Sequence, residues 1–170
     1  YIAFAEPAGT AYHAVKKANF SPGDTVAVLG GGAIGQLVAQ YAKEAGAEKV
    51  ILSEILNSRI EIAKKIGAVD LVLNPLETDV LEEVFSLTDG QGVDCAIECC
   101  GGGKTGMLED TAQQAVAMTR AEGTAVIVGT FAEPTEFHFN NVVLMERKIV
   151  GSWVWQTAEE YNEALRLIAE

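Results

Sequence analysis

Apolar residues follow two alternating periods along the chain. Short runs of consecutive apolar residues, bounded by glycine or charge, predict strands near 25–29, 49–53, 70–73, 93–97, 124–128 and 148–152. Between them, apolar positions recur three and four residues apart, as at Ile34, Leu37, Val38, Tyr41, Ala42 and Ala45. That spacing predicts helices near 9–18, 33–45, 58–66, 78–88, 107–120 and 157–169. Ser58-x-x-Glu61 and Thr157-x-x-Glu160 read as capping boxes that open two of them, and Gly67, Gly90 and Gly123 as stops. Runs such as Val126-Ile-Val128 are apolar on both faces, as a parallel sheet covered by helices requires. The expectation is one α/β domain over 1–170, a doubly wound parallel six-stranded sheet with helices on both faces. Segment 129–147 breaks the rhythm, with Pro134, alternating Phe137 and Phe139, and no helical period. It reads either as a long surface loop with one short strand, or as a loop shaped by a ligand or a neighbouring subunit.

The junction of the first strand with its helix carries the chemistry. Thr25-Val-Ala-Val-Leu29 runs directly into Gly30-x-Gly32-x-x-Gly35, and the next strand, Lys49–Ser53, is closed by Glu54, 24 positions after Gly30. This order of strand, glycine turn, helix, strand and acid is the dinucleotide-binding (Rossmann) arrangement. Gly30 permits the tight turn, Gly32 lets backbone approach a pyrophosphate, and Gly35 lets the helix pack close to the strand. Ala33 and Ile34 open the helix, whose unpaired N–H groups and positive dipole end face the phosphates. Gly103-Lys104-Thr105 looks like the end of a P-loop, but Glu98 occupies the position where that motif needs a glycine, and a carboxylate there repels phosphates.

Charge and cysteine content narrow the classes. A net charge of −12, from 24 acidic against 12 basic residues, argues against nucleic acid or an anionic membrane as partner. No stretch has the uncharged apolar length of a membrane span, and there is no charged-then-apolar leader, while an opening at Tyr1 without methionine reads as a fragment. Three cysteines, Cys95, Cys99 and Cys100, form no even framework and point to a reducing compartment, the cytoplasm being simplest. Cys95 reads as core filling. With only His13 and His138 besides, no four-ligand zinc cage can be spelled from this segment.

Glu6-Pro7 with His13-Ala14, Pro22-Gly23-Asp24-Thr25-Val26, the Gly30–Gly35 turn, Glu54 with Arg59, Gly67-Ala68, Gly92-Val93-Asp94, Glu98-Cys99 and Val128-Gly129 together span nearly the whole chain. Together they resemble the cofactor-binding domain of medium-chain, zinc-dependent alcohol dehydrogenases, most closely the sorbitol, threonine and 2,3-butanediol dehydrogenase branch. The resemblance implies an NAD-binding half of an oxidoreductase that moves hydride between NAD and a small alcohol or ketone, with the zinc and substrate domain absent. It implies that Glu6 is a ligand of the catalytic zinc in the intact enzyme only, and that Thr10 stands beside the nicotinamide ring. Glu54 then holds the adenosine ribose through both hydroxyls, and Arg59 reaches the same ribose. Cys99 and Cys100 form a wall of the cofactor pocket. Val128, Gly129 and Thr130 meet the nicotinamide carboxamide, with Gly151 and Ser152 also near that ring. Members of the family commonly dimerise by joining their last sheet strands, here near Lys148–Ser152, where Val150, Trp153 and Trp155 would either supply apolar area or face the protein's own core. The glycine-rich Gly101–Gly106 turn departs from the usual pattern, and the role of Lys104 stays open.

Without the resemblance, Glu6 reads as a solvated acid on a turn, Thr10 as a helix N-cap and Arg59 as a surface arginine. Two other functions fit the motifs: a non-catalytic NAD-binding module, and a zinc-free quinone or enoyl reductase that prefers NADPH. Glu54 and the Glu6-Pro7 pair speak against the second.

Overall fold

The computed structural model describes residues 4–102, 110–134 and 137–169. Six strands, β1 (Thr25–Leu29), β2 (Lys49–Ser53), β3 (Leu71–Leu73), β4 (Val93–Glu98), β5 (Thr119–Ile127) and β6 (Lys148–Gly151), form one sheet in the order β3-β2-β1-β4-β5-β6. Every pairing is parallel. Seven helices accompany them: α1 (Ala5–Ala18), α2 (Ala33–Glu44), α3 (Asn57–Ile66), α4 (Val80–Leu87), α5 (Thr111–Met118), α6 (Asn140–Val143) and α7 (Ala158–Ala169).

Alternation along the strands divides the core into two layers, because successive strand side chains face opposite ways. Val26, Val28, Val50, Leu52, Cys95 and Ile97 join residues of α1, α2 and α7 in one cluster. Ala27, Leu29, Ile51 and Ala96 join Val84 of α4 and Ala115 and Met118 of α5 in the other. The predicted doubly wound sheet, with Cys95 fully buried, is what forms. The chain steps outward from β1 to β2 to β3 and then returns to place β4 on the other side of β1. That reversal opens a crevice at the carboxyl ends of β1 and β4, where open α/β sheets receive ligands.

Several boundaries differ from the pattern. α1 begins at Ala5, so Glu6 and Pro7 lie in its first turn rather than on a solvated turn before it. Proline is tolerated there because those N–H groups have no helical acceptor. α3 begins at Asn57 behind Leu56, with no side-chain cap, so the Ser58 capping box does not form. The Glu54 carboxylate takes the Ile55 and Leu56 N–H groups instead, which turns the chain into the helix one residue early. The Thr157 box forms in part: Thr157 Oγ1 accepts from Glu160 N at 3.1 Å, while Glu160 Oε2 accepts from Gln156 N at 2.9 Å. Gly123 is no helix stop. It lies buried inside β5, which runs back to Thr119 through a register shift and the left-handed Glu122 (φ 60°). Among the described residues, 129–147 holds one short helix, α6, and an isolated bridge from Phe131 to Gly102 in place of a strand. Gly103–Thr105 lie outside the described residues, as does the predicted start of the fifth long helix.

Candidate functional site

The glycine turn is shaped by what crowds it and by what does not. A Cβ on Gly35 would strike the Gly30 carbonyl, so α2 can approach β1 only because that Cβ is missing. Gly30 takes a left-handed φ of 95° and is covered by the Cys100 thiol. Gly32 is different: a Cβ there would find only Arg59 Nη1, at 3.9 Å. Gly32 is also the N-cap of α2 and offers no capping side chain, so the first N–H groups of the helix point into open space. Such a cradle suits a phosphate anion, and a side chain at Gly32 would fill it.

Glu54 stands against this turn and is buried, 4% exposed. Its Oε2 accepts from Gly31 N at 2.8 Å, and Arg59 Nη1 lies 3.5 Å from the same oxygen. Its Oε1 accepts from the N–H groups of Ile55 and Leu56, both at 2.8 Å. A carboxylate has about four acceptor sites. Oε1 is therefore filled, and Oε2, on the side of the glycine turn, is filled only if the long 3.5 Å Arg59 contact is counted, so it is the oxygen that can exchange a partner for a ligand. Gln36 Nε2 fixes the surroundings by donating to the carbonyls of Gly31 and Arg59.

Beside the turn, a cleft of ≈ 330 Å³ is lined by Glu6 and Thr10 of α1, Ile34 of α2, Cys100 and Gly101 after β4, Val128, Gly129 and Thr130 after β5, and Ser152, Trp153 and Val154 after β6. The fold thus gathers Glu6, Thr10, Ile34, Cys100, Val128, Gly129, Thr130 and Ser152 from distant parts of the chain. Gly30, Gly32, Ala33, Glu54 and Arg59 adjoin at the turn. Cys99 and Gly151 are not on the cleft lining: the half-buried Cys99 packs against the core, and Gly151 is exposed at the end of β6. Burial, then Glu98, holds the Cys99 thiol well above its usual range. Loss of solvent in the cleft, followed by Glu98 and Glu54, pushes Cys100 up to about 12. Both are neutral thiols near pH 7, suited to packing rather than to nucleophilic attack.

Thr10 is buried in the second turn of α1, and its Oγ1 donates to Glu6 Oε1 at 3.0 Å, so it is not an N-cap. Glu6 offers one carboxylate to the cleft. Among the described residues no three His, Cys, Asp or Glu come together as a metal site, so this donor set does not by itself fit a zinc ion.

Two features escaped the sequence reading. Glu98 is fully buried at the end of β4, with hydrogen bonds from the loops after β4 and β5 and from Thr111 at the start of α5. Ser152 Oγ and Arg147 Nε are buried without a hydrogen-bond partner. Glu98 stood in the sequence as part of the Glu98-Cys99 motif and as an acid closing an apolar strand, but neither signal showed that its carboxylate joins two loops. The second feature left no signal.

Comparison with known proteins agrees with this geometry. The family model described as zinc-binding dehydrogenase matches residues 33–170. A sorbitol dehydrogenase of Halalkalibacterium halodurans is 35% identical over 99% of this chain and 47% of its own length. The crystal structure of 2R,3R-butanediol dehydrogenase from Bacillus subtilis superposes with a TM-score of 0.85 at 32% identity, over 98% of this chain and 45% of that one. A Sinorhizobium meliloti protein solved bound to NADP gives a TM-score of 0.86 at 31% identity, over 98% of this chain and 48% of that one. The chain spans about half the length of the relatives it matches. The chain belongs to the zinc-binding dehydrogenase family, whose nucleotide-binding fold its sheet, glycine turn and acid-closed second strand reproduce.

Proposed function

We propose that the chain is the nucleotide-binding part of an oxidoreductase, holding NAD while hydride passes to or from a small alcohol or ketone. The observation that carries this reading is the pairing of an open, uncapped phosphate cradle at Gly32 with the buried Glu54 carboxylate on the neighbouring Gly31 N–H. When bound, the nicotinamide cofactor supplies the hydride chemistry. The chain's own groups position it. The α2 N-terminus, through Ala33 and Ile34, faces the pyrophosphate, and Glu54 Oε2 takes a ribose hydroxyl with Arg59 beside it. Thr10, Cys100, Val128, Gly129, Thr130 and Ser152 enclose the nicotinamide end and exclude water from it.

Glu54 also argues for NAD over NADP, since a carboxylate repels a 2′-phosphate carrying nearly two negative charges. Glu6 would contribute one carboxylate to a zinc ion whose other ligands come from outside the described residues. Three free thiols suit a reducing compartment such as the cytoplasm. No helix among the described residues is long and apolar enough to cross a membrane. β6 would pair with its copy in a second molecule: it is an edge strand, and Ile149 and Trp153 are 42% and 65% exposed beside it. Trp155 instead covers Gly9 and stacks at 5.0 Å on Tyr161, facing the molecule's own interior.

Calorimetry with both cofactors tests the assignment. NAD is expected to bind at least about tenfold more tightly than NADP, or about 1.4 kcal/mol, and Glu54→Ala to erode that preference. Equal affinity in the unmutated chain would overturn the cofactor choice.

A further inference from the structure

We infer that Glu98 is a positioning residue for the cofactor cleft, one that sets the wall formed by the loops after β4 and β5; this rests on the reading of the cleft as a dinucleotide site. Glu98 is 0% exposed. A carboxylate so far from water is strongly disfavoured unless its lone pairs are met, and here they are. Oε1 accepts from Cys100 N at 2.7 Å, Gly101 N at 2.9 Å and Thr111 Oγ1 at 2.9 Å, and Oε2 accepts from Gly129 N at 3.2 Å. Three of these four donors belong to residues that line the cleft.

The packing shows how closely the carboxylate sets the two loops. A Cβ on Gly129 would come within 2.5 Å of Glu98 Oε2, and one on Gly101 within 2.8 Å of the Thr130 carbonyl. Past the carboxylate the loops stay joined, with Gly102 N donating to Thr130 O at 2.9 Å. Cys100 then lies directly on Gly30 of the phosphate turn. One side chain therefore fixes the wall opposite Thr10 and Ser152 and connects it to the turn. Only an acceptor-only group suits the place. Glutamine has the same shape but sets an NH₂ against backbone N–H groups that offer no acceptor, either those of Cys100 and Gly101 or that of Gly129, which then keeps only its 3.3 Å contact to the Glu98 main-chain carbonyl.

The role separates from plain stability because the wall flanks one end of the cofactor site. Glu54 and Arg59, at the other end, make none of these bonds. NAD spans the whole site, whereas AMP needs only the Glu54–Arg59 end. By calorimetry, Glu98→Gln is expected to weaken NAD about tenfold, the size of one unmade buried hydrogen bond, and to leave AMP within about twofold. Thr111→Val, which removes a single donor without touching the main chain, should weaken NAD about threefold, and Thr111→Ser should restore it. That pair carries the test if Glu98→Gln does not fold. Unchanged NAD affinity in Glu98→Gln, or a parallel loss for NAD and AMP, would overturn the inference while leaving the cofactor site in place. An unmutated chain that binds neither ligand would overturn the cofactor reading, and this inference with it.

Discussion

The two flanks of the sheet are finished in different ways. On the β3–β2–β1 side the polar groups are satisfied within the chain: the buried Glu54 takes three backbone N–H groups, the buried Gln36 bridges two carbonyls, and the exposed Asp70 accepts from Val50 N and pairs with Lys43 at 2.7 Å. On the β5–β6 side lie Arg147 Nε and Ser152 Oγ, the two buried side-chain atoms without a hydrogen-bond partner among the described residues. There too Phe139, Val143, Leu144, Ile149 and Trp153 stand between 42% and 78% exposed. The first flank is complete in these polar bonds, although Leu56, Ile62, Ile66 and Leu76 stand between 44% and 57% exposed there. The second has the character of a boundary meant to meet something else, which is where the proposed edge pairing falls.

The sharpest break of this contrast is a pair of leucine truncations. Leu52→Ala in β2, where the side chain is 0% exposed, should cost about 2–5 kcal/mol through lost burial and the cavity left behind. Leu144→Ala, 78% exposed after α6, should fall within about 0.5 kcal/mol on the stability of a single molecule. Urea midpoints compare the two directly, and similar losses would remove the distinction between flanks.

Glu160 is the charged tie of the open flank to α1. Glu160 of α7 accepts from Gln156 N, pairs with Lys16 at 3.1 Å and contacts His13 Nδ1 at 3.1 Å on α1, fixing the segment after β6. Desolvation pushes its carboxyl up, but the Gln156 N–H, Lys16 and His13 prevail and hold it at about 2, against an ordinary 4.5. A depressed folded-state value means stability that is present above the unfolded value and lost as pH falls through the folded one. The contribution, of order 1–3 kcal/mol, should disappear between about pH 4.5 and pH 2. Glu160→Gln should flatten the stability profile in that window, and an unchanged profile would remove Glu160 as its source.

A smaller effect is expected at the sheet edge. Ser152 N donates to Ile127 O, so the alternate N–H of Ile149 faces the open edge. Ile149→Pro deletes that outward donor and should weaken self-association about tenfold, the loss of about one hydrogen bond, as read by light scattering across a dilution series. A monomer at high micromolar concentration in the unmutated chain would refute edge pairing and leave the nucleotide assignment untouched.

What the sequence made legible was local. Gly30, Gly32, Gly35 and Glu54 lie within one strand–helix–strand unit, so their spacing already implied their neighbourhood, and the parallel six-stranded sheet followed from the alternation of periods. Glu98 was not legible in the same way. Its donors at Thr111 and Gly129 lie 13 and 31 residues away, and only the pairing of β4 with β5 brings them in. The Ser58 box failed for a related reason. The motif was correct as a string, but Glu54, held in place by Gly31 across the turn, captured the neighbouring N–H groups first. Trp155 was read as a candidate for the outer face, yet the space over Gly9 takes it inward.

The central claim, that a dinucleotide lies on the Gly32 cradle, is tested most directly by titrating NAD into Gly32→Val alongside the unmutated chain and following urea unfolding of both. The added side chain meets no protein atom nearer than Arg59 Nη1, and Gly32 holds an ordinary φ of −69°, so stability should be retained. The branched group would occupy the space where a pyrophosphate meets the α2 N–H groups, so NAD binding should be abolished. Normal NAD binding by a folded Gly32→Val variant would contradict the account.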